Sequence, residues 1–152
     1  MNTPLNVLLA DDDTDDRFLF DKALMEIPIA THLTTVHDGE QLMDYLSDNS
    51  ENLPHILFLD LNMPRKTGFE CLCEISENEK LKDLSVVIFS TSYPQDKSYE
   101  LGMINNLFKL GARVYIRKPG DFEQLKKTIQ HALPMASEEI FSNGQLKYIL
   151  NA

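Results

Sequence analysis

Five short, largely apolar runs recur along this chain, each followed by a stretch with helical spacing. The runs fall at 6–10, 33–36, 56–59, 86–89 and 114–116. Each spans only a few residues; the last three are apolar throughout, the first opens on Asn6, and the second carries Thr34 and Thr35 between Leu33 and Val36. That is the pattern of a strand buried on both faces, as in a parallel sheet covered by helices. The intervening stretches repeat at helical spacing. In 14–26 the apolar positions are Phe18, Leu19, Ala23 and Leu24, with Ile27 next and Pro28 as a stop. In 41–46 they are Leu42, Met43 and Leu46. Helices are expected at 69–76, at about 96–110 and at 121–133, the last capped by Asp121 and followed by Pro134. Strand and helix thus alternate five times, and 152 residues are enough for one domain of this kind. The expected fold class is α/β: an open, doubly wound parallel sheet with helices on both faces.

Sheets of this type bind ligands beyond the carboxyl ends of their strands, so those ends are where chemistry is to be sought. The first run ends in Asp11-Asp12-Asp13, the third in Asp60, the fourth in Ser90-Thr91, and the fifth leads to Lys118-Pro119. If strands one, three, four and five are neighbours, three carboxylates, a hydroxyl and an ammonium surround one cleft. Carboxylates so close cannot all stay ionised without counter-charge. Lys118 supplies one positive charge. A hard divalent cation would supply two more through oxygen ligands, and magnesium suits best because it needs only one or two carboxylates plus a phosphate oxygen. An aspartate in such a setting can act as a nucleophile toward phosphorus, forming an acyl phosphate. That transfer calls for charge neutralisation and positioning more than acid–base work.

These residues together resemble the receiver domain of two-component response regulators, in its stand-alone, CheY-like form, over about residues 5–133. The acid pair corresponds to Asp11 and Asp12. The phosphoacceptor corresponds to Asp60, within Asp60-Leu61-Asn62-Met63-Pro64 followed by Gly68. The family's hydroxyl residue corresponds to Ser90, its Lys-Pro pair to Lys118-Pro119, and its aromatic switch residue to Tyr115. The resemblance implies a five-stranded, flavodoxin-like sheet of order 2-1-3-4-5. It implies Mg2+ held directly by Asp12 and Asp60, by the backbone carbonyl of Asn62, and through water by Asp11. It implies catalytic roles for Asp60, Lys118 and Ser90, a switch formed by Ser90 and Tyr115, structural roles for Pro64 and Gly68, and a cis bond before Pro119. The implied partners are a sensor histidine kinase or a phosphotransfer protein, and a downstream protein that reads the face of the fourth helix, fifth strand and fifth helix. A homodimer is left open. The chain would catalyse only its own phosphorylation and dephosphorylation.

Three departures from the family pattern stand out. Ser90 replaces the more usual threonine. Thr67 precedes Gly68 where an acidic residue is common, so that loop is expected to be ordered differently. The stretch from Ser90 to Lys118 is longer than usual by roughly six residues, under two helical turns. The excess is expected as an enlarged, partly exposed segment between about Pro94 and Gly102, with a bend or break near Gly102, where glycine lowers helix stability by roughly 1 kcal/mol relative to alanine.

The acidic run fits a calcium loop poorly. Asp11, Asp13 and Asp15 alternate as such a loop would, but Asp16 stands where it needs Gly and Lys22 where it needs Glu. Asp13 to Asp16 suit the start of a helix, where capping side chains and negative charge are favourable. Tyr115 could be plain packing. A haloacid-dehalogenase-type phosphatase would carry Asp two positions after its nucleophile, where Asn62 stands here. A phosphorylation-independent, receiver-like scaffold would not need the full set of Asp, Ser and Lys.

Composition narrows the partners. With 14 basic and 24 acidic side chains the formal charge is −10, which disfavours DNA and anionic membranes. Cys71 and Cys73 are two apart and would point to nearly opposite sides of a helix. Unpaired thiols, no visible signal peptide and no long apolar run suggest a cytoplasmic protein. Residues 1–133 are expected to form the receiver-like domain, and 134–152 a tail, packed on the domain or partly frayed. Within the tail, 145–151 could be a strand or a short amphipathic piece.

Overall fold

The structure, a computed structural model, describes residues 3–91, 97–137 and 148–150. The chain alternates as expected: β1 (Leu5–Ala10), α1 (Thr14–Glu26), β2 (Thr31–Val36), α2 (Gly39–Asp48), β3 (Ile56–Leu59), α3 (Gly68–Glu77), β4 (Ser85–Ser90), α4 (Lys97–Lys109), β5 (Ala112–Arg117) and α5 (Phe122–Ser137). The strands pair in parallel, and the first five lie in the order 2-1-3-4-5. The tail adds one strand. β6 (Tyr148–Leu150) pairs in parallel with β5 at Val114, Tyr115 and Ile116, so the sheet has six strands and β5 is not its edge.

The central strands β3 and β4 are buried along their whole length, and apart from Ser85 and Ser90 at the two ends of β4 their sequence is apolar. Alternate residues of each strand feed two cores on opposite faces of the sheet. Leu8, Leu57, Leu59, Ile88 and Tyr115 pack with Leu42, Leu46, Leu72, Ile75, Ile104 and Leu107 from α2, α3 and α4. Val7, Leu9, Phe58, Phe89 and Ile116 pack with Phe20, Ala23, Leu24, Ile129 and Leu133 from α1 and α5. Phe20, Phe58 and Phe89 meet edge-to-face, with ring centroids 4.9 to 6.2 Å apart, beneath the end of the sheet where the acidic residues gather.

Several expectations from the sequence are corrected here. Phe18 and Leu19 share the helical spacing of α1 but face outward. The buried stripe is Phe20, Ala23, Leu24 and Ile27, one step round the helix. α4 runs without interruption through Gly102, so the expected break is absent. Glu100, Ile104 and Leu107 all lie on its buried face, one turn apart, and hold the helix to the sheet on both sides of the glycine. The N-terminal part of the expected enlarged segment, from Pro94 to Gln95 and Asp96, lies outside the described residues. α5 continues past Pro134 to Ser137; proline removes one backbone donor there without ending the helix. Among the described residues no helix is long and apolar enough to cross a membrane.

Candidate functional site

β1, β3, β4 and β5 are parallel neighbours, so their carboxyl ends open on one side of the sheet. Asp11 and Asp12 follow β1, Asp60 follows β3, Ser90 ends β4, and Lys118 follows β5. The carboxylates of Asp11, Asp12 and Asp60 come together with one oxygen of each within 4.8 Å of the others. Asp11 and Asp60 are buried and Asp12 is exposed.

Lys118 is the site's cation. Its Nζ lies 2.8 Å from Asp11 Oδ2, 2.9 Å from Asp16 Oδ2 and 3.5 Å from Asp60 Oδ2. It also sits 5.6 Å above the centre of the Phe89 ring. Burial alone would lower its pKa, but the hydrogen bonds to Asp11 and Asp16 outweigh burial and raise it, so the ammonium stays protonated. Asp60 goes the other way. Burial pushes its carboxyl up to about 6, against the pull of Lys118 and with a further upward push from Asp11. Burial likewise raises Asp11, partly offset by its bond to Lys118. One ammonium therefore does not balance the three converging carboxylates, and hard oxygen donors in negative excess are the donor set that suits a magnesium-like cation.

The remaining geometry fixes Asp60. Its Oδ1 accepts the Asn62 backbone N–H at 3.3 Å and faces the Ser90 hydroxyl at 3.4 Å. The chain then loops back so that Gly68 N donates to Leu61 O at 2.9 Å. A Cβ at Gly68 would stand 2.1 Å from the Asp60 carbonyl oxygen, so only glycine fits behind the acceptor residue. Pro64 and Arg65 form the turn of this loop, Arg65 with φ of 68°, in the left-handed region. Thr67 accounts for its own departure from the family pattern. It caps α3, accepting from Glu70 N at 3.1 Å while Glu70 Oε1 accepts from Thr67 N at 3.0 Å.

The expected cis bond before Pro119 is not found; the Lys118–Pro119 bond is trans. Lys118 N donates to Ser90 O at 2.9 Å, extending the ladder one residue past β5. From there its side chain reaches Asp11 and Asp16, and trans is the form an X–Pro bond prefers by roughly 0.5–1 kcal/mol. Tyr115 points into the core and is buried against the α4 side of the sheet.

Two acidic residues that the sequence marks only as a helix start lie at the site. Asp13 does act as the cap of α1, accepting from Asp16 N at 2.9 Å. Asp16, however, carries a carboxylate into the site as the second partner of Lys118. Arg17 also contributes, donating from Nη1 to the Asp11 carbonyl at 2.7 Å. Sequence spacing held a clue: Asp16 is the second residue after Thr14, within the turn that begins beside Asp11. Cys71 is buried, its thiol pushed up to about 12 by desolvation, which leaves it a poor nucleophile.

The family model for the response regulator receiver domain matches residues 7–130. Response regulator Rcp1 of Synechocystis sp. is 32% identical over 136 residues, covering 85% of this chain and 86% of that protein. The probable methanogenesis regulatory protein FilR2 of Methanothrix harundinacea is 28% identical over 130 residues, covering 84% and 80%. Among solved structures, the Mn(2+)-bound form of Rcp1 superposes with a TM-score of 0.73 at 29% identity over 86% of this chain and 93% of that one. The phosphorylated cyanobacterial phytochrome response regulator RcpA gives 0.74 at 29% identity, over 87% and 93%.

Proposed function

We propose, from the premise that this chain belongs to the response regulator receiver domain family, that it is a single-domain phosphorylation switch with Asp60 as the phosphoacceptor. One observation carries the reading. Asp60 is a buried carboxylate at a strand end, with the Ser90 hydroxyl 3.4 Å from one oxygen and the Lys118 ammonium 3.5 Å from the other. The two groups stand where they can neutralise and bind the oxygens of a phosphoryl group placed on Asp60.

In the reaction an Asp60 carboxylate oxygen attacks phosphorus and a new O–P bond forms. The N–P bond of a donor phosphohistidine breaks, and the electron pair stays on the imidazole nitrogen, which takes a proton from solvent. Asp11, Asp12, Asp60 and the Asn62 carbonyl would hold Mg2+, which supplies positive charge to the phosphoryl oxygens when bound. Lys118 balances the added charge, and Ser90 donates its hydroxyl hydrogen to a phosphoryl oxygen. Tyr115 is buried, the position it would take once Ser90 has closed on that oxygen, and its packing against the α4 side couples the site to the α4–β5–α5 face. Partners would read that face. On the donor side, α1 starts beside the acidic cluster and exposes Phe18 (67% exposed) and Met25, an apolar landing for a helix of a histidine kinase or phosphotransfer protein.

The test is to incubate the protein with magnesium and acetyl phosphate and to weigh it intact. The wild type should gain one phosphoryl group and Asp60→Asn none. Repeated consumption of the donor would instead indicate an enzyme, and no uptake by the wild type would indicate a binding scaffold.

A further inference from the structure

We propose that Asp16 is a positioning residue that parks the Lys118 ammonium on the α1 side of the site, where it competes with a phosphoryl group on Asp60 for that cation. The proposal rests on the phosphoacceptor reading above. An ammonium has three N–H donors. Two of those on Lys118 are spent at hydrogen-bond distance, on Asp11 Oδ2 at 2.8 Å and Asp16 Oδ2 at 2.9 Å. Asp60 Oδ2, at 3.5 Å, is beyond a good hydrogen bond. The cation is therefore drawn toward α1, away from the atom that would carry the phosphoryl group.

The two holders are not equal. Asp11 is fully buried, and its other oxygen accepts the Asp13 backbone N–H at 2.9 Å, so it cannot readily give up its counter-ion. The Asp16 side chain is 37% exposed, and water can replace the ammonium there at small cost. When new negative charge appears on Asp60, the bond to Asp16 is the one to open, and Lys118 swings across. The capping hydrogen bond of α1 uses the Asp16 backbone N–H, bonded to Asp13 Oδ1, and not the Asp16 carboxylate. Its carboxylate is spent on Lys118 instead, setting how strongly the site holds a phosphoryl group.

The experiment measures affinity for beryllium fluoride, a phosphoryl mimic, in the presence of magnesium, by 19F NMR titration of the full chain. Removing the competing carboxylate should tighten binding. Asp16→Asn is expected to bind about fivefold more tightly than wild type, the worth of one part-exposed ion pair. Asp16→Ser should show the same gain, so the result does not hang on one variant's folding, and Asp16→Glu, which keeps the carboxylate, should return toward wild type. Asp15→Asn removes an exposed neighbouring charge that does not touch Lys118 and should bind as wild type does. Equal affinity in wild type, Asp16→Asn and Asp16→Ser overturns the role of Asp16 while leaving the phosphoacceptor reading intact. An equal gain in Asp15→Asn also overturns it, because net charge alone would then account for the effect. No uptake by wild type at any concentration overturns the phosphoacceptor reading and this proposal with it.

Discussion

Burial costs the Asp60 carboxylate more than Lys118 returns, and this sets how the fold should respond to pH. The carboxyl rises from 3.8 to about 6 in the folded protein. A carboxyl whose folded value is raised favours the fold while it is protonated and stops doing so as pH climbs through that value. In metal-free buffer Asp60 should therefore remove stability between about pH 4 and pH 6 to 7. Asp60→Asn, which keeps the shape without the charge, should melt close to wild type near pH 4. At pH 7 it should be more stable, on the order of 2 kcal/mol. Chemical denaturation at the two pH values checks this, and an equal difference at both would count against the buried charge. Asp12 is exposed, so water screens its repulsion, and Asp12→Ala should gain less than Asp60→Asn in the same experiment. Magnesium should reverse the order. A cation bound by the cluster stabilises the ionised form, so millimolar magnesium should raise the wild-type melting temperature, chelation should undo the gain, and Asp60→Asn should respond much less.

Among the elements, strands are easier to read from this sequence than helix faces. The runs of β3 and β4 announce strands because burial on both sides leaves no polar position inside them to confuse the period, whereas β2, half-buried, carries Thr34 and Thr35. Strand order follows from the family resemblance, and order is what brings Asp11, Asp60, Ser90 and Lys118 together. The buried face of α1 is ambiguous because Phe18, Leu19 and Phe20 are consecutive, and spacing alone cannot say which one the sheet covers. Asp16 escapes notice because a helix start already accounts for an acidic residue there. The trans bond at Pro119 is hidden because both isomers of an X–Pro bond are compatible with the same sequence. α4 illustrates what spacing cannot show: a buried Glu100 paired with Arg117, which ties the helix to the end of β5 next to Lys118. Glu100→Ala should lower stability by about 1–2 kcal/mol, the worth of the charge-assisted hydrogen bonds that the buried carboxylate makes to Arg117. Tyr99, 77% exposed, and Leu101 lie on the flanks of the same helix. Tyr99→Ala and Leu101→Ala should stay within about 0.5 kcal/mol of wild type. Both should leave phosphorylation of Asp60 near normal, while weakening capture of whichever protein reads the α4–β5–α5 face. Denaturation and phosphorylation assays run together on the three variants separate the two effects.

For the molecule as a whole, the question is how a parallel sheet ends. A bare edge strand offers unpaired backbone groups to any other chain. On one side the edge is β2. On the other, β5 would be the edge if the chain stopped after α5, and β5 is apolar at Val114, Tyr115 and Ile116. The tail prevents this, since β6 pairs with those three residues. A formal charge of −10 adds a general repulsion between copies. That repulsion is screened within about 8 Å at physiological salt and does not satisfy backbone donors. Strand pairing and charge thus guard the same edge at different ranges. A chain ending at residue 147 lacks β6 and should lose stability by roughly 1–3 kcal/mol, the net worth of a few ladder hydrogen bonds. It should also self-associate, weakly at low salt and more at high salt, where the charge no longer keeps copies apart. Light scattering after size-exclusion chromatography, at low and high sodium chloride, measures this directly. Truncation that leaves both melting temperature and mass unchanged would mean that β6 contributes nothing to closing the sheet, and the edge would have to be protected by charge alone.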